Sequence, residues 1–188
     1  MTHIYIFKKV KLLCMAMLLK GFSTFAQLSG TYTINSGNPT SGSNYNSFAD
    51  FTSALKSNGV GGAVTVNVVA NTGPYYEQIK IDTIIGVNAL NTVTINGNGN
   101  VIATTPVSSA RYIIQLNGAD YVTIDSLVLY DSSTTYGWGV HLYQGANYNT
   151  IKNCVIDLTA VTSTSSSNAV GIVATGSLTS VTTGGDNA

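Results

Sequence analysis

Tyr112-Ile113-Ile114-Gln115-Leu116-Asn117-Gly118-Ala119-Asp120-Tyr121-Val122-Thr123-Ile124-Asp125-Ser126-Leu127-Val128-Leu129-Tyr130 decides how this chain is read. After a polar loop it is answered by Gly139-Val140-His141-Leu142-Tyr143-Gln144-Gly145-Ala146-Asn147-Tyr148-Asn149-Thr150-Ile151-Lys152-Asn153-Cys154-Val155-Ile156. From the glycines onward, Gly118-Ala119-Asp120-Tyr121-Val122-Thr123-Ile124 matches Gly145-Ala146-Asn147-Tyr148-Asn149-Thr150-Ile151 at a spacing of 27. A short internal period filled with β-branched residues is the signature of stacked strands wound into a coil.

The period-2 alternation fixes which side chains share a column. Thr92 to Asn96 aligns with Tyr121 to Asp125 at a spacing of 29, so successive turns differ in loop length. Inward columns become Val93, Val122 and Asn149, then Ile95, Ile124 and Ile151. Outward columns become Thr94, Thr123 and Thr150, then Asn96, Asp125 and Lys152. After the bend, Leu127 and Leu129 stack on Cys154 and Ile156. Upstream of the glycines the inward pairs are Ile114/Leu116, Val140/Leu142 and Ile172/Ala174. The middle pair stands one residue further from its glycine, which requires a bulge near Tyr143-Gln144.

Working outward, Val64 to Val68 alternates as an earlier strand and Gln78 to Ile81 as another. Ser47 to Asn58 reads as an amphipathic helix. Ser47 with Asp50 suits a capping box, Phe48, Phe51 and Leu55 form one stripe, and Gly59 supplies the stop. Such a helix is expected to cover the open front of the coil. Residues 27–46, rich in Gly, Ser, Asn and Thr, form a lead-in along an edge, with Tyr32 to Ile34 strand-like. Residues 47–188 are the cap and first rungs. The last inward pair, Ile172 and Ala174, is followed by no second amphipathic cap, so the coil is expected to continue in a longer protein.

The chain begins as an exported one. Lys8, Lys9 and Lys11 precede an apolar run from Leu12 to Leu19, and Thr24-Phe25-Ala26 closes a secretory signal peptide over residues 1–26. The run is too short to span a bilayer, and no membrane insertion is expected after its removal. What remains holds Lys56, Lys80, Arg111 and Lys152 against all eight acids of the 188-residue chain, a surplus of four negative charges. A sparse, mildly acidic surface has no footprint for nucleic acid. Cys154 is left alone, so no disulfide forms within the exported part.

Tyr121-Val122-Thr123-Ile124-Asp125-Ser126-Leu127 and Asn149-Thr150-Ile151-Lys152-Asn153-Cys154-Val155-Ile156 resemble rungs of right-handed parallel β-helix proteins of the pectin-lyase-like superfamily. Gly73-Pro74-Tyr75-Tyr76-Glu77-Gln78-Ile79 looks like the first-turn G-x-Y-x-E segment of several of its branches. The layout is also similar to the N-terminal part of large surface proteins from bacteria with type IX secretion. The resemblance covers about Ser47 to Ser177. It implies an all-β, right-handed parallel β-helix with a capping helix in front. It says little about activity, because the superfamily holds lyases, hydrolases, esterases and adhesins.

Enzymes of that superfamily set acids on outward positions of neighbouring rungs. Here Asp125 stands between Asn96 and Lys152, an exposed ion pair rather than a catalytic couple. Glu77 lies near a bend and is expected to accept backbone N–H bonds; alone it lacks the partner that glycosidic chemistry needs. Asp120 and Asn147 are expected to close turns. His141 faces outward with no second ligand at metal spacing, so neither a metal nor a cofactor is expected. Cys154 is expected to be buried and inert. The aromatic group Tyr130, Tyr136, Trp138, Tyr143 and Tyr148 is the best functional feature. Tyr136, Trp138, Tyr143 and His141 are the candidate ligand-binding residues, because flat rings on a rigid scaffold suit carbohydrate stacking. The expected function is a secreted or cell-surface, non-catalytic module that binds polysaccharide or another surface protein. The alternative is the N-terminal portion of a polysaccharide lyase or glycoside hydrolase.

Overall fold

The structure, a computed structural model, describes residues 26–184. The predicted signal peptide therefore lies outside the described residues but for Ala26. Residues 26–184 form an all-β parallel solenoid of about five turns with a single short helix. The elements in chain order are β1 (Leu28–Ile34), β2 (Asn44–Tyr45), α1 (Phe48–Asn58), β3 (Val60–Val68), β4 (Ile79–Asp82), β5 (Val93–Asn96), β6 (Val101–Thr104) and β7 (Tyr112–Asn117). They continue with β8 (Val122–Asp125), β9 (Val128–Asp131), β10 (Gly137–Tyr143), β11 (Thr150–Lys152), β12 (Val155–Asp157) and β13 (Ala169–Ala174).

Three parallel sheets make the walls, ordered β11-β8-β5-β3-β1-β2, β13-β10-β7-β4 and β12-β9-β6. The columns expected from the repeat are the columns observed. Val64, Val93 and Val122 are in register, as are Val66, Ile95, Ile124 and Ile151. On the other walls Leu129 pairs with Ile102 and Ile156, and Val140 with Ile114 and Ile172. The aliphatic columns from Val64 to Leu129 are shut off from solvent, and each side chain buried this way stabilises the coil by roughly 1.5–3 kcal/mol. Hydrogen bonds run between turns while side chains stack along the axis, so a repeat of unequal loops still builds one continuous core.

Corners repeat as faithfully as strands. Tyr121 and Tyr148 both take left-handed backbone, φ 54° and 56°, and Ser126 and Asn153 both lie at φ 54°. Non-glycine residues adopt this region only where the surroundings demand it, here the turn from one wall to the next. The extra residue required near Tyr143 is Gln144, at φ 53°: Tyr143 is still in register with Asn117, and after the corner the spacing has grown by one. Asn147 N–H donates to Asp120 Oδ1 at 2.7 Å, which closes this corner across neighbouring turns.

The helix begins as its sequence requires. Ser47 Oγ accepts from Asp50 N–H at 3.0 Å, and Glu77 Oε1 and Oε2 accept from Phe48 N–H at 3.1 Å and Ala49 N–H at 2.9 Å. Three of the donors that a helix start leaves open are thus satisfied. Glu77 is the expected acceptor of backbone N–H groups, and the tie from its loop pins α1 against β4. Phe48, Phe51 and Leu55 are buried. Phe48 meets the ring edge-on of Tyr75, with centroids 5.1 Å apart.

Two elements exceed the expectation. The lead-in is longer than Tyr32 to Ile34: β1 pairs in parallel with β3 from Leu28 to Ile34, with β2 beyond it. β6 was not anticipated. Its corner is tied by Asn100, buried, whose Oδ1 accepts from Thr72 and Gly73 N–H while Nδ2 donates to Val69 and Gly97 carbonyls.

Candidate functional site

The candidate aromatic residues lie on the outer side of β10 and in the loop before it. Trp138 and His141 are in edge-to-face contact at 4.9 Å, and His141 and Tyr143 are 5.2 Å apart. The structure brings these three together. It also covers two of them: Trp138 and His141 are 0% exposed. Trp138 Nε1 donates to Ser167 O at 2.9 Å, and Arg111 Nη1 reaches the same carbonyl at 2.8 Å. The Arg111 guanidinium lies over the half-buried Tyr136 ring at 4.6 Å. A ring needs an open face to stack on a sugar, and Trp138 has none in this arrangement. The alternation of Val140, His141 and Leu142 places His141 outward, as expected. Burial there comes from residues 163–168 and from Thr175, which sequence periodicity cannot foresee.

His141 joins that layer to the coil. Nδ1 lies 3.0 Å from Gln115 Nε2 and Nε2 lies 3.3 Å from Thr175 O. An amide donor on one nitrogen and a carbonyl on the other fit the neutral ring protonated at Nε2. Burial lowers the His141 pKa, against a smaller upward pull from the Thr175 carbonyl. The folded protein therefore resists a proton that the unfolded chain accepts near pH 6.5. Stability is expected to fall as pH drops below about 6.5 towards the folded pKa, by at most about 1.4 kcal/mol per pH unit of that window. Urea midpoints measured from pH 8 to pH 5 check this. His141→Gln should remove that slope, and an unchanged profile would reject the assignment.

A second buried ionisable group lies at the end of β9. Asp131 is 0% exposed; Oδ1 accepts from Ser133 N–H at 2.6 Å, and Oδ2 has no hydrogen-bond partner. Burial pushes its pKa up to about 6, opposed only by the Ser133 bond. Gly137 is required beside it, since a Cβ there would strike Oδ2. Nothing in the sequence distinguished Asp131 from a loop aspartate.

Among the described residues Asp82 and Asp125 are ion-paired near the surface. Lys56 Nζ is 2.7 Å and Lys80 Nζ 3.3 Å from Asp82, whose carboxyl is held down to about 2, first by the Lys56 bond. Asp125 is also lowered, by Asn153, then Ser126 and Lys152. Lys152 Nζ lies 3.2 Å from Asp125, the expected ion pair. Among the described residues no three His, Cys, Asp or Glu side chains converge as metal ligands. Cys154 is half-buried rather than buried, in the last rung among the described residues; partial burial still raises its pKa.

The broadest ordered surface is the outer face of the six-stranded sheet. Its threonine column runs over five strands, Thr31, Thr65, Thr94, Thr123 and Thr150, two more than the sequence repeat suggested. Beside it stand Thr33, Asn67, Asn96, Asp125 and Lys152. Asn96 Nδ2 donates to Asn67 Oδ1 at 3.2 Å, and Thr33 Oγ1 to Asn44 Oδ1 at 2.8 Å. Tyr121 and Tyr148 are stacked at one margin, 4.8 Å between centroids and 11° between planes, with Tyr148 71% exposed. Hydroxyl and amide groups at the roughly 4.8 Å strand spacing, bordered by an open aromatic face, can bind a chain of hydroxyl groups without charge. Compared with family models, curated proteins and solved structures, the chain has no match.

Proposed function

We propose that this protein is an exported, non-catalytic β-helix module that binds neutral polysaccharide across the outer face of its six-stranded sheet. The observation that carries this reading is the threonine column over five strands beside a second polar column whose only charges, Asp125 and Lys152, pair with each other, with the exposed Tyr148 ring at the margin. The sugar chain lies along the columns, its hydroxyl groups bonding Thr, Asn and ordered water, with one ring on Tyr148. The basic, apolar start closed by Thr24-Phe25-Ala26 supports export to a secreted or cell-surface location. The winding is right-handed, as parallel crossovers almost always are, in line with the pectin-lyase-like resemblance and the likeness to type IX-exported surface proteins. The amphipathic helix α1 serves as the front cap of the coil.

Electrophoresis through gels containing laminarin, xyloglucan or polygalacturonate tests the proposal. Retardation is expected in at least one neutral gel, weakened about 5-fold by Tyr148→Ala, the equivalent of roughly 1 kcal/mol. Migration unaffected by any of the three would reject glycan binding. New reducing ends or unsaturated products would instead establish the polysaccharide lyase or hydrolase reading.

A further inference from the structure

Tyr121 and Tyr148 occupy matched corners of successive turns, so their geometry measures how one turn maps onto the next. Their ring centroids are 4.8 Å apart and their planes differ by 11°. One turn therefore advances by about one strand spacing with little rotation. Strands β3, β5, β8 and β11 pair without any shift of register. Columns on this wall thus run close to straight along the axis, where those of an open sheet would fan out with its twist.

The threonine column is free to bond outward. The hydroxyl groups of Thr33, Thr52 and Thr72 donate within the protein. Those of Thr31, Thr65, Thr94, Thr123 and Thr150 bond to no other group among the described residues. Each offers one donor and two acceptor positions, with a methyl group on the same Cβ. The second column lies two residues further along each strand, about 6.6 Å away. Over its first three turns it supplies Thr33, Asn67 and Asn96.

We infer that the polysaccharide taken by this face is an extended, flat ribbon of pyranose rings joined equatorially from the first carbon to the fourth, as in cellulose and mannan. It lies along the solenoid axis with one sugar on each turn. The inference rests on the neutral-polysaccharide reading above and adds the linkage. In such a ribbon each sugar advances by a step close to the strand spacing, and hydroxyl groups emerge on both edges at every step. Every turn then meets its sugar in the same way. The C–H face of the ring lies on the threonine methyl groups, and its edges reach the threonine hydroxyls on one side and the Asn67 and Asn96 amides on the other. A chain joined through the third carbon, or through an axial bond, curves into a helix and leaves this line within a few sugars. A uronate chain meets no unpaired cation on the wall, since Lys152 is held by Asp125 at 3.2 Å.

Electrophoresis through gels of hydroxyethylcellulose, glucomannan, laminarin and dextran at equal mass concentration tests the linkage. Retardation by the first two is expected to exceed that by the last two by about 5-fold or more. Calorimetry with cellotriose, cellotetraose and cellopentaose should show affinity rising about 3-fold with each added sugar, because each meets a new turn. Thr94→Val combined with Thr123→Val keeps both branched side chains and is checked for folding by circular dichroism. It should lower affinity for cellopentaose about 5-fold. Laminarin or dextran retarding the protein as strongly as hydroxyethylcellulose would overturn the inference and leave the neutral-glycan reading standing. Affinity that stops rising at cellotriose, or that is unchanged in the folded double variant, would do the same. Migration unaffected by all four polymers would overturn both.

Discussion

Phe51→Ala is expected to destabilise the fold by about 3–5 kcal/mol. The ring is fully buried, and it meets Tyr45 edge-on with centroids 5.3 Å apart. Truncation removes the transfer energy of the ring and leaves a void. The helix that carries Phe51 packs on β1, β2 and β4, and these strands cannot move in to fill the void without breaking strand register. Ser53→Ala, on the exposed side of the same helix, should change stability by no more than about 0.5 kcal/mol. Urea unfolding of both variants checks the contrast. A loss below about 1 kcal/mol for Phe51→Ala would mean that α1 adds little to the solenoid beneath it.

Asp131→Asn is expected to stabilise the protein above pH 7. The wild-type carboxyl binds its proton more tightly folded than unfolded, with a folded pKa of about 6 against the ordinary aspartate value of 3.8. Its favourable contribution is complete below the unfolded pKa and disappears as pH rises from about 4 through 6, because the folded state must then carry an unpaired buried charge. A shift of about two pKa units corresponds to roughly 3 kcal/mol. Asparagine keeps an acceptor for Ser133 N–H but buries a new donor, which offsets about 1 kcal/mol, so a gain of about 2 kcal/mol is expected at pH 8 and none at pH 4. Unfolding midpoints at the two values decide it; a variant less stable than wild type at pH 8 would show that Oδ2 finds a favourable partner. His141 acts in the opposite sense, losing stability as pH falls below 6.5, so its slope is read most cleanly in the Asp131→Asn background.

The repeats at spacings of 29 and 27 residues were enough to place Ile95, Ile124 and Ile151 in one column and Asp125 next to Lys152, because register in a parallel coil follows directly from period-2 alternation. The same logic located the bulge near Tyr143-Gln144, and the capping pattern of Ser47 with Asp50 located the start of the helix. β6 escaped it: Val101-Ile102-Ala103-Thr104 is too short to show a period, and its corner depends on Asn100 bonding to residues about thirty positions away. The lead-in pairing of β1 with β3 was hidden similarly, since its partner lies beyond the intervening helix.

The candidate site shows the sharper division. Alternation alone placed only His141 and Tyr143 on the outer side of one wall, since it would put Trp138 on the side of the inward Val140. It was silent on whether solvent reaches them, which is settled by Ser167 and Thr175 through bonds of long sequence separation. The burial of Asp131 is of the same kind. By itself the sequence determined what points in, what points out and which rungs stack, because those are local consequences of strand geometry. Only the tertiary structure decided which outward groups stay wet, because covering a wall requires loops whose paths carry no periodic signal.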